Sequence, residues 1–180
     1  VLSPYNNKGN LSAYALNMAI RDRVNPLERG KIVLKRDKDS FRDNDRVIIL
    51  QNDRERNCSN GDVGILHILK VEEKRVTYCV KLPDGRCPTW DDASGLAQLS
   101  LAYCLTVHKS QGSEYRAVIL SLNPVAQLLL TRSVLYTAVT RAKELLIMVG
   151  DDNVAHRMID NHKQSRRYSA LRIRLADENS

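Results

Sequence analysis

"LTVHKSQGSEYRAVIL" (Leu105–Leu120) sets Thr, His, Lys, Ser, Gln, Gly, Ser and Glu between two apolar runs. The apolar flanks read as strands, and the run "AYCLTV" (102–107) delivers the polar segment to the carboxyl end of one of them. In open α/β sheets that edge is where ligands bind. Thr106 has the type of an N-cap, which leaves backbone N–H groups at a positive helix end. His108, Lys109 and Ser110 offer donors to phosphate oxygens. Gly112 permits close backbone approach or a positive φ. Glu114 can accept from a ribose hydroxyl or orient a basic neighbour. An ordinary surface loop with a cap and a solvated lysine fits the same residues. The chain contains no GxxxxGK[ST] phosphate loop.

Downstream, "SVLYTAVTRAKELLIMVGD" (133–151) predicts a helix over 131–142, with Val134, Leu135, Ala138 and Val139 toward a core. "LLIMV" (145–149) then reads as a buried strand, and helical segments follow to about residue 175. Arg141 falls at the helix end, near the same sheet edge as the first loop. A guanidinium there can stabilise charge on a transferring phosphoryl group; a cation complementing the helix macrodipole is the plainer reading. Upstream, Ala13, Leu16, Ile20 and Val24 recur at helical spacing, with Asn10 or Ser12 as N-cap and Asn25-Pro26 as the stop. Residues 28–45 read as a charged loop. "RVIIL" (46–50), "VGILHIL" (63–69) and "RVTYCVKL" (75–82) are short β-branched runs. In the last, Val76, Tyr78, Val80 and Leu82 share one face. Asn60-Gly61-Asp62 and Pro83-Asp84-Gly85-Arg86 are turn signals. The expected architecture is an α/β parallel sheet over 1–41 and 101–180, interrupted by a small antiparallel β-barrel over 42–100.

The 180 residues are 43% hydrophobic, enough for a core, and carry 28 Lys and Arg against 21 Asp and Glu. A sequence pI near 9.4 favours a polyanionic partner, nucleic acid before membrane. No apolar run approaches the roughly 18 residues of a membrane span, and residues 1–20 lack a signal-peptide pattern. Cys58, Cys79, Cys87 and Cys104 form no CxxC pair, so no metal site is expected. Reduced thiols without an export signal point to the cytoplasm. The chain starts "VLSPYN" without Met, which suggests part of a longer protein.

Taken together, "LTVHKSQGSEYRAVIL" and "LYTAVTRAKELLIMVGD" resemble motifs V and VI of superfamily 1 DNA helicases, closest to the RecD-like branch (the exodeoxyribonuclease V alpha subunit and its relatives). "VLSPYNNKGNLSAYALNMAIRDRVNP" (1–26) is similar to the opening strand and helix of that family's second RecA-like motor domain. "FRDNDRVIILQNDRERNCSNGDVGIL" (41–66) is similar to the start of its inserted barrel, of the Src-homology-3 (SH3) kind. "RYSALRIRL" (167–175) resembles its closing helix. The resemblance implies a P-loop NTPase-like fold and an ATP-dependent DNA helicase acting in DNA repair and recombination. It implies translocation on single-stranded DNA, with polarity 5′ to 3′. ATP would sit between two motor domains; the first, expected on a preceding part of the chain, would supply the Walker lysine, the Mg2+ ligands and the catalytic carboxylate. The resemblance gives Arg141 the role of arginine finger. It places Gly112 and Glu114 beside the nucleotide, and Thr106, His108 and Lys109 beside the DNA backbone. Taken alone, the 180 residues are expected to lack ATPase activity. Many superfamily 1 helicases also carry a motif IV arginine near the phosphates; "SPYNNKG" (3–9) has none, with Lys8 or Asn6 in its place.

Two rival classes remain from the residues alone: a non-catalytic nucleic-acid-binding module, and a docking subunit of a helicase–nuclease complex. Trp90 and Tyr103 are candidate base-stacking residues, with core positions as the commoner alternative. His156 and His162 lie off helical register. The basic set Arg157, Lys163, Arg166, Arg167, Arg172 and Arg174 fits a DNA-facing patch or a solvated helix face.

Overall fold

The computed structural model describes residues 1–36, 39–72, 75–124 and 129–161. In chain order its elements are β1 (Leu2–Ser3), α1 (Ala13–Val24), β2 (Val33–Arg36), β3 (Asp39–Arg42), β4 (Arg46–Ile49), β5 (Val63–Val71), β6 (Val76–Lys81) and β7 (Thr89–Trp90). A 3-10 helix (Ala93–Gln98), β8 (Leu99–Leu101), β9 (Leu105–Thr106), a 3-10 turn (His108–Ser110), β10 (Tyr115–Leu122), α2 (Arg132–Val139), β11 (Ala142–Gly150) and α3 (Asp152–Asp160) follow.

Four strands form a parallel sheet in the order β11-β10-β1-β9. Five others form an antiparallel sheet, β7-β6-β5-β4-β8, with the β2–β3 hairpin beside it. The chain leaves the parallel sheet after β1, builds the antiparallel layer, and returns at β9. This is a RecA-like α/β sheet interrupted by an SH3-like set of antiparallel strands. Right-handed crossovers fix the faces. The path from β1 to β9 runs one way across the sheet and the path from β10 to β11 runs the other. α1 and α2 therefore lie on opposite faces, and α3 packs against α2 and β10.

Two cores result. Phe41, Val47, Ile49, Leu66, Tyr78, Val80, Trp90 and Leu96 fill the antiparallel one. Leu2, Leu120, Ala138, Val154 and Met158 belong to the parallel one. Each full burial of such an aliphatic or aromatic side chain contributes about 1.5–3 kcal/mol. β4 serves both by its two-residue period: Val47 and Ile49 enter the first core, and Ile48 enters the second. Val76, Tyr78 and Val80 of β6, and Leu82 just after it, are buried as their alternation predicts.

Several expectations need correction. Residues 28–45 are not all loop: Val33–Arg36 pairs with Asp39–Arg42, held by Phe41 and Leu34 in the core beneath charged neighbours. The run "LAYCL" is not one strand. It splits between β8 and β9 because Asn17 of α1 takes both backbone groups of Cys104, donating to its carbonyl at 2.8 Å and accepting from its N–H at 2.9 Å. Accordingly the buried face of α1 is Ala13, Asn17 and Arg21, while Leu16 and Ile20 are only half-buried. Ser12 is the N-cap, accepting from Ala15 N–H, and Asn25 ends the helix. α2 stops at Val139, because Ala142 already pairs with Tyr115 as the start of β11. Finally, β11 is an edge strand among the described residues and largely exposed: Leu145, Ile147, Met148 and Val149 stand at 51, 42, 52 and 48%. Trp90 is buried and stacks on Tyr78 with ring centroids 5.6 Å apart, so it offers no face to a base. Tyr103 is packed against the antiparallel core, with its hydroxyl given to Asp45 at 2.9 Å. The segments expected to be helical from 162 to 175, "RYSALRIRL" and the basic side chains from Lys163 to Arg174 lie outside the described residues. No helix among the described residues is long and apolar enough to cross a membrane.

Candidate nucleotide and nucleic-acid site

The loop 106–114 rises from the end of β9, beside β1. Thr106 Oγ1 accepts from the Lys109 N–H at 3.3 Å, the capping its type predicts. Val107 is buried and Ser110 is fully buried, its hydroxyl donating to the Val107 carbonyl at 2.7 Å. These anchors leave His108 and Lys109 exposed on one flank of the loop. Gly112 turns the chain with φ 82°, and nothing lies within 4 Å of where a Cβ would stand. The space beside that backbone is therefore open to a ligand.

On the other flank the two sequence segments meet. Arg141 follows the end of α2, and its carbonyl accepts from the Tyr115 N–H at 2.8 Å. Its guanidinium donates to the Ser113 carbonyl (3.0 Å), the Thr137 carbonyl (3.2 Å) and Thr140 Oγ1 (3.4 Å). All three acceptors are neutral, so the side chain is held while these contacts leave its charge uncompensated. Glu114 pairs with Lys143 at 2.8 Å. Its carboxyl is held below the usual carboxylate range, first by the hydrogen bond from Lys143 and further by Arg141. Lys143 reaches Glu114 from an irregular stretch of β11. Tyr115 pairs with Ala142 and Ala117 with Leu145, so β11 carries one extra residue there, a bulge of the kind common beside functional sites.

Lys109 faces elsewhere. It lines a cavity of about 570 Å³ with Asn6, Asn7, Tyr14, Ser40 and Ser100, between α1 and the β2–β3 hairpin. Asn6 thus lies on the Lys109 flank, away from Arg141. One nine-residue loop presents Lys109 to this cavity and the Ser113 carbonyl to Arg141. The sequence reading missed Lys143 and the far wall of the cavity. A parallel pairing of the strands after each motif was a usable signal for Lys143. The wall, by contrast, depends on a hairpin whose charged sequence carries no alternation. Among the described residues no cluster of carboxylates, histidines and cysteines gathers that could hold a metal ion.

The sequence profile of the UvrD-like helicase C-terminal domain matches residues 101–149, and that of the ATP-dependent RecD-like DNA helicase SH3 domain matches residues 16–81. The ATP-dependent RecD2 DNA helicase of Deinococcus radiodurans is 34% identical over 150 residues, covering 83% of this chain and 20% of that protein. The RecBCD enzyme subunit RecD of Mycolicibacterium smegmatis is 32% identical over 134 residues, covering 72% of this chain and 22% of its own length. The chain therefore spans about a fifth of the length of these curated relatives. Among solved structures, the Pif1 helicase from Bacteroides in complex with ADP-AlF3 and ssDNA superposes with a TM-score of 0.55 at 17% identity. That match covers 98% of this chain and 48% of the other, and at this identity it speaks for the fold alone. Two profiles that meet in one chain, and relatives that share both parts, place it: the chain belongs to the RecD-like branch of the superfamily 1 helicases and corresponds to their C-terminal region.

Proposed function

We propose that this chain is the second motor domain of an ATP-dependent DNA helicase, with 1–41 and 101–180 as the RecA-like part and 42–100 as the inserted barrel. A first motor domain preceding it would complete the ATP cleft. In this reading Arg141 is the arginine finger, Gly112 and Glu114 border the nucleotide, and Thr106, His108 and Lys109 hold the backbone of single-stranded DNA. The observation that carries it is the 3.0 Å bond from the Arg141 guanidinium to the Ser113 carbonyl, which joins the two motifs at one sheet edge. The groups fit a triphosphate: a fixed cation bonded to neutral oxygens, an open glycine backbone, and a carboxylate already neutralised by Lys143.

ATP supplies the phosphoryl group whose transfer to water drives the cycle, with Mg2+ held by the first domain. Arg141 would orient its planar fork on the terminal phosphate when the domains close, and so act on transition-state charge. Because Gly112 to Glu114 and Thr106 to Lys109 are one short loop, a shift at the cleft moves the DNA contacts with it; that coupling would convert closure into translocation. The names of the relatives, an ATP-dependent DNA helicase and a RecBCD enzyme subunit, support helicase activity and association with further subunits; a nuclease among those subunits and a cytoplasmic location are part of the proposal.

The test is steady-state ATP hydrolysis by the complete helicase with saturating single-stranded DNA. Arg141→Ala lowers the rate by about 10³ to 10⁵, roughly 4–7 kcal/mol. Arg141→Lys restores little of it, since a point charge does not reproduce the fork. A loss under about tenfold in a folded protein would return Arg141 to the role of a helix-terminal cation.

A further inference from the structure

Cys79 and Cys87 are far apart in exposure and close in space. Cys79 lies in the middle of β6, buried, paired with Thr89 of β7 on one side and His67 of β5 on the other. Cys87 lies in the connection to β7 and is exposed. Their sulfurs are 2.9 Å apart. The ladder holds them there: Val80 N–H donates to the Pro88 carbonyl at 3.0 Å, and Leu82 N–H to the Arg86 carbonyl at 2.9 Å. Both cysteines therefore sit on the same face of one hairpin, with backbone pairing fixing the register between them. Cys58 and Cys104 are each buried with no such neighbour among the described residues.

We propose that Cys79 and Cys87 are a redox-modification site, a dithiol that a small disulfide converts reversibly to an intramolecular disulfide. The exposed Cys87 is the attacking group. Its thiolate takes one sulfur of the incoming disulfide, whose S–S bond breaks and releases the other half as a thiolate. Cys79 then gives its proton to solvent and attacks the Cys87 sulfur, which expels the second thiolate. Two protein thiols are oxidised and one small disulfide is reduced to two thiols. Burial pushes the Cys79 thiol up to about 12, with a further push from the adjacent Cys87. Cys79 is therefore a poor first nucleophile, and acts as the resolving partner because contact replaces diffusion. The turn between the two cysteines, Pro83 to Arg86, lines a cleft of about 460 Å³ with Asp62, Ser113 and Glu114. The bridge would thus tie the base of a turn that faces the loop of the candidate site.

The test treats the reduced, folded chain with oxidised glutathione and maps its cysteines by mass spectrometry after quenching. The expected result is loss of two of the four free thiols, a Cys79–Cys87 crosslinked peptide without retained glutathione, and full recovery on reduction by dithiothreitol. Cys79→Ser leaves glutathione stably on Cys87, and Cys87→Ser leaves all three remaining thiols free. Wild-type protein that retains glutathione on Cys87 with Cys79 reduced would overturn the proposal. So would crosslinks that favour other cysteines or a second chain. The wild-type map decides the matter even where the buried Cys79→Ser change impairs folding.

Discussion

Asp45 has no exposed surface, yet it gathers four polar groups. Oδ1 accepts from Asn25 Nδ2 at 2.8 Å and from the Tyr103 hydroxyl at 2.9 Å, Oδ2 accepts from the Arg42 N–H at 2.8 Å, and the Arg21 guanidinium stands 3.9 Å away. Arg21 and Arg42 are themselves at 5 and 9% exposure. This one carboxylate binds the end of α1 to the first strands of the antiparallel layer. Asp45→Ala leaves three donors without their acceptor and removes the buried carboxylate beside Arg21, whose remaining carboxylate, Asp22, is exposed; it costs about 3–5 kcal/mol, read as a lower urea midpoint at unchanged slope. Asp45→Asn retains the volume and loses the charge, so its midpoint falls between the two. Nothing in the sequence singles this residue out. It closes a charged run from 28 to 45, and only the pairing of Val33–Arg36 with Asp39–Arg42 turns its side chain inward. That Arg141 would stand at the same sheet edge as the loop of Gly112 and Glu114 was legible by contrast, since each segment adjoins an apolar strand run.

At the level of elements, the antiparallel strands were legible and the edge strand was not. β6 announces one buried face by a two-residue alternation, and Val76, Tyr78 and Val80 are buried as it predicts, although Cys79 between them is buried too. β11 is apolar almost throughout, which is the signature of a strand covered on both faces. Its position at the end of the order β11-β10-β1-β9 leaves it largely uncovered among the described residues. Strand order is a long-range property, and a run of five apolar residues does not encode it. The 3-10 helix Ala93–Gln98 shows the reverse case, in which a short element is dictated by one contact. Asp92 caps it by accepting from the Ser94 and Gly95 N–H groups. Gly95 is pressed on the aromatic pair: an added Cβ would stand 2.2 Å from Trp90 Cδ1 and 2.6 Å from the Tyr78 hydroxyl oxygen. Gly95→Ala therefore forces the Tyr78–Trp90 stack apart and destabilises the barrel by about 1–3 kcal/mol. Trp90 is the single tryptophan of the chain. Its emission consequently reports the unfolding midpoint directly, and an unchanged midpoint would show that the stack yields without cost.

For the molecule as a whole, a formal net charge of +7 bears on how it meets a polyanion. Binding of single-stranded oligonucleotides should be weak, indifferent to sequence and steeply weakened by salt, since each phosphate contact contributes a log–log slope of about −0.7. Lys109→Ala should lower that slope by about one such contact while leaving the unfolding free energy within about 0.5 kcal/mol of wild type. Titration of a labelled strand at several salt concentrations checks both, and a slope untouched by the substitution would remove Lys109 from the interface. That the chain holds two kinds of sheet was legible from the change of strand texture, but the hairpin that adds Leu34 and Phe41 to the antiparallel core was not. How the layers join was not legible, because it rests on Asn17, Ile48 and Asp45, one residue each. The same division bears on the order in which the chain can acquire its structure. β1 lies near the start of the chain, yet its partners are β9 and β10; Ser121 bonds the Leu2 carbonyl across 119 residues. At roughly 5–20 residues per second of synthesis, the first strand waits about 6 to 24 s for its neighbours. The antiparallel layer, whose strands β4 to β8 all fall between Arg46 and Leu101, is complete before then. It can fold on the ribosome as a local unit while Leu2 and Ser3 are still unpaired, and the parallel sheet closes around it last.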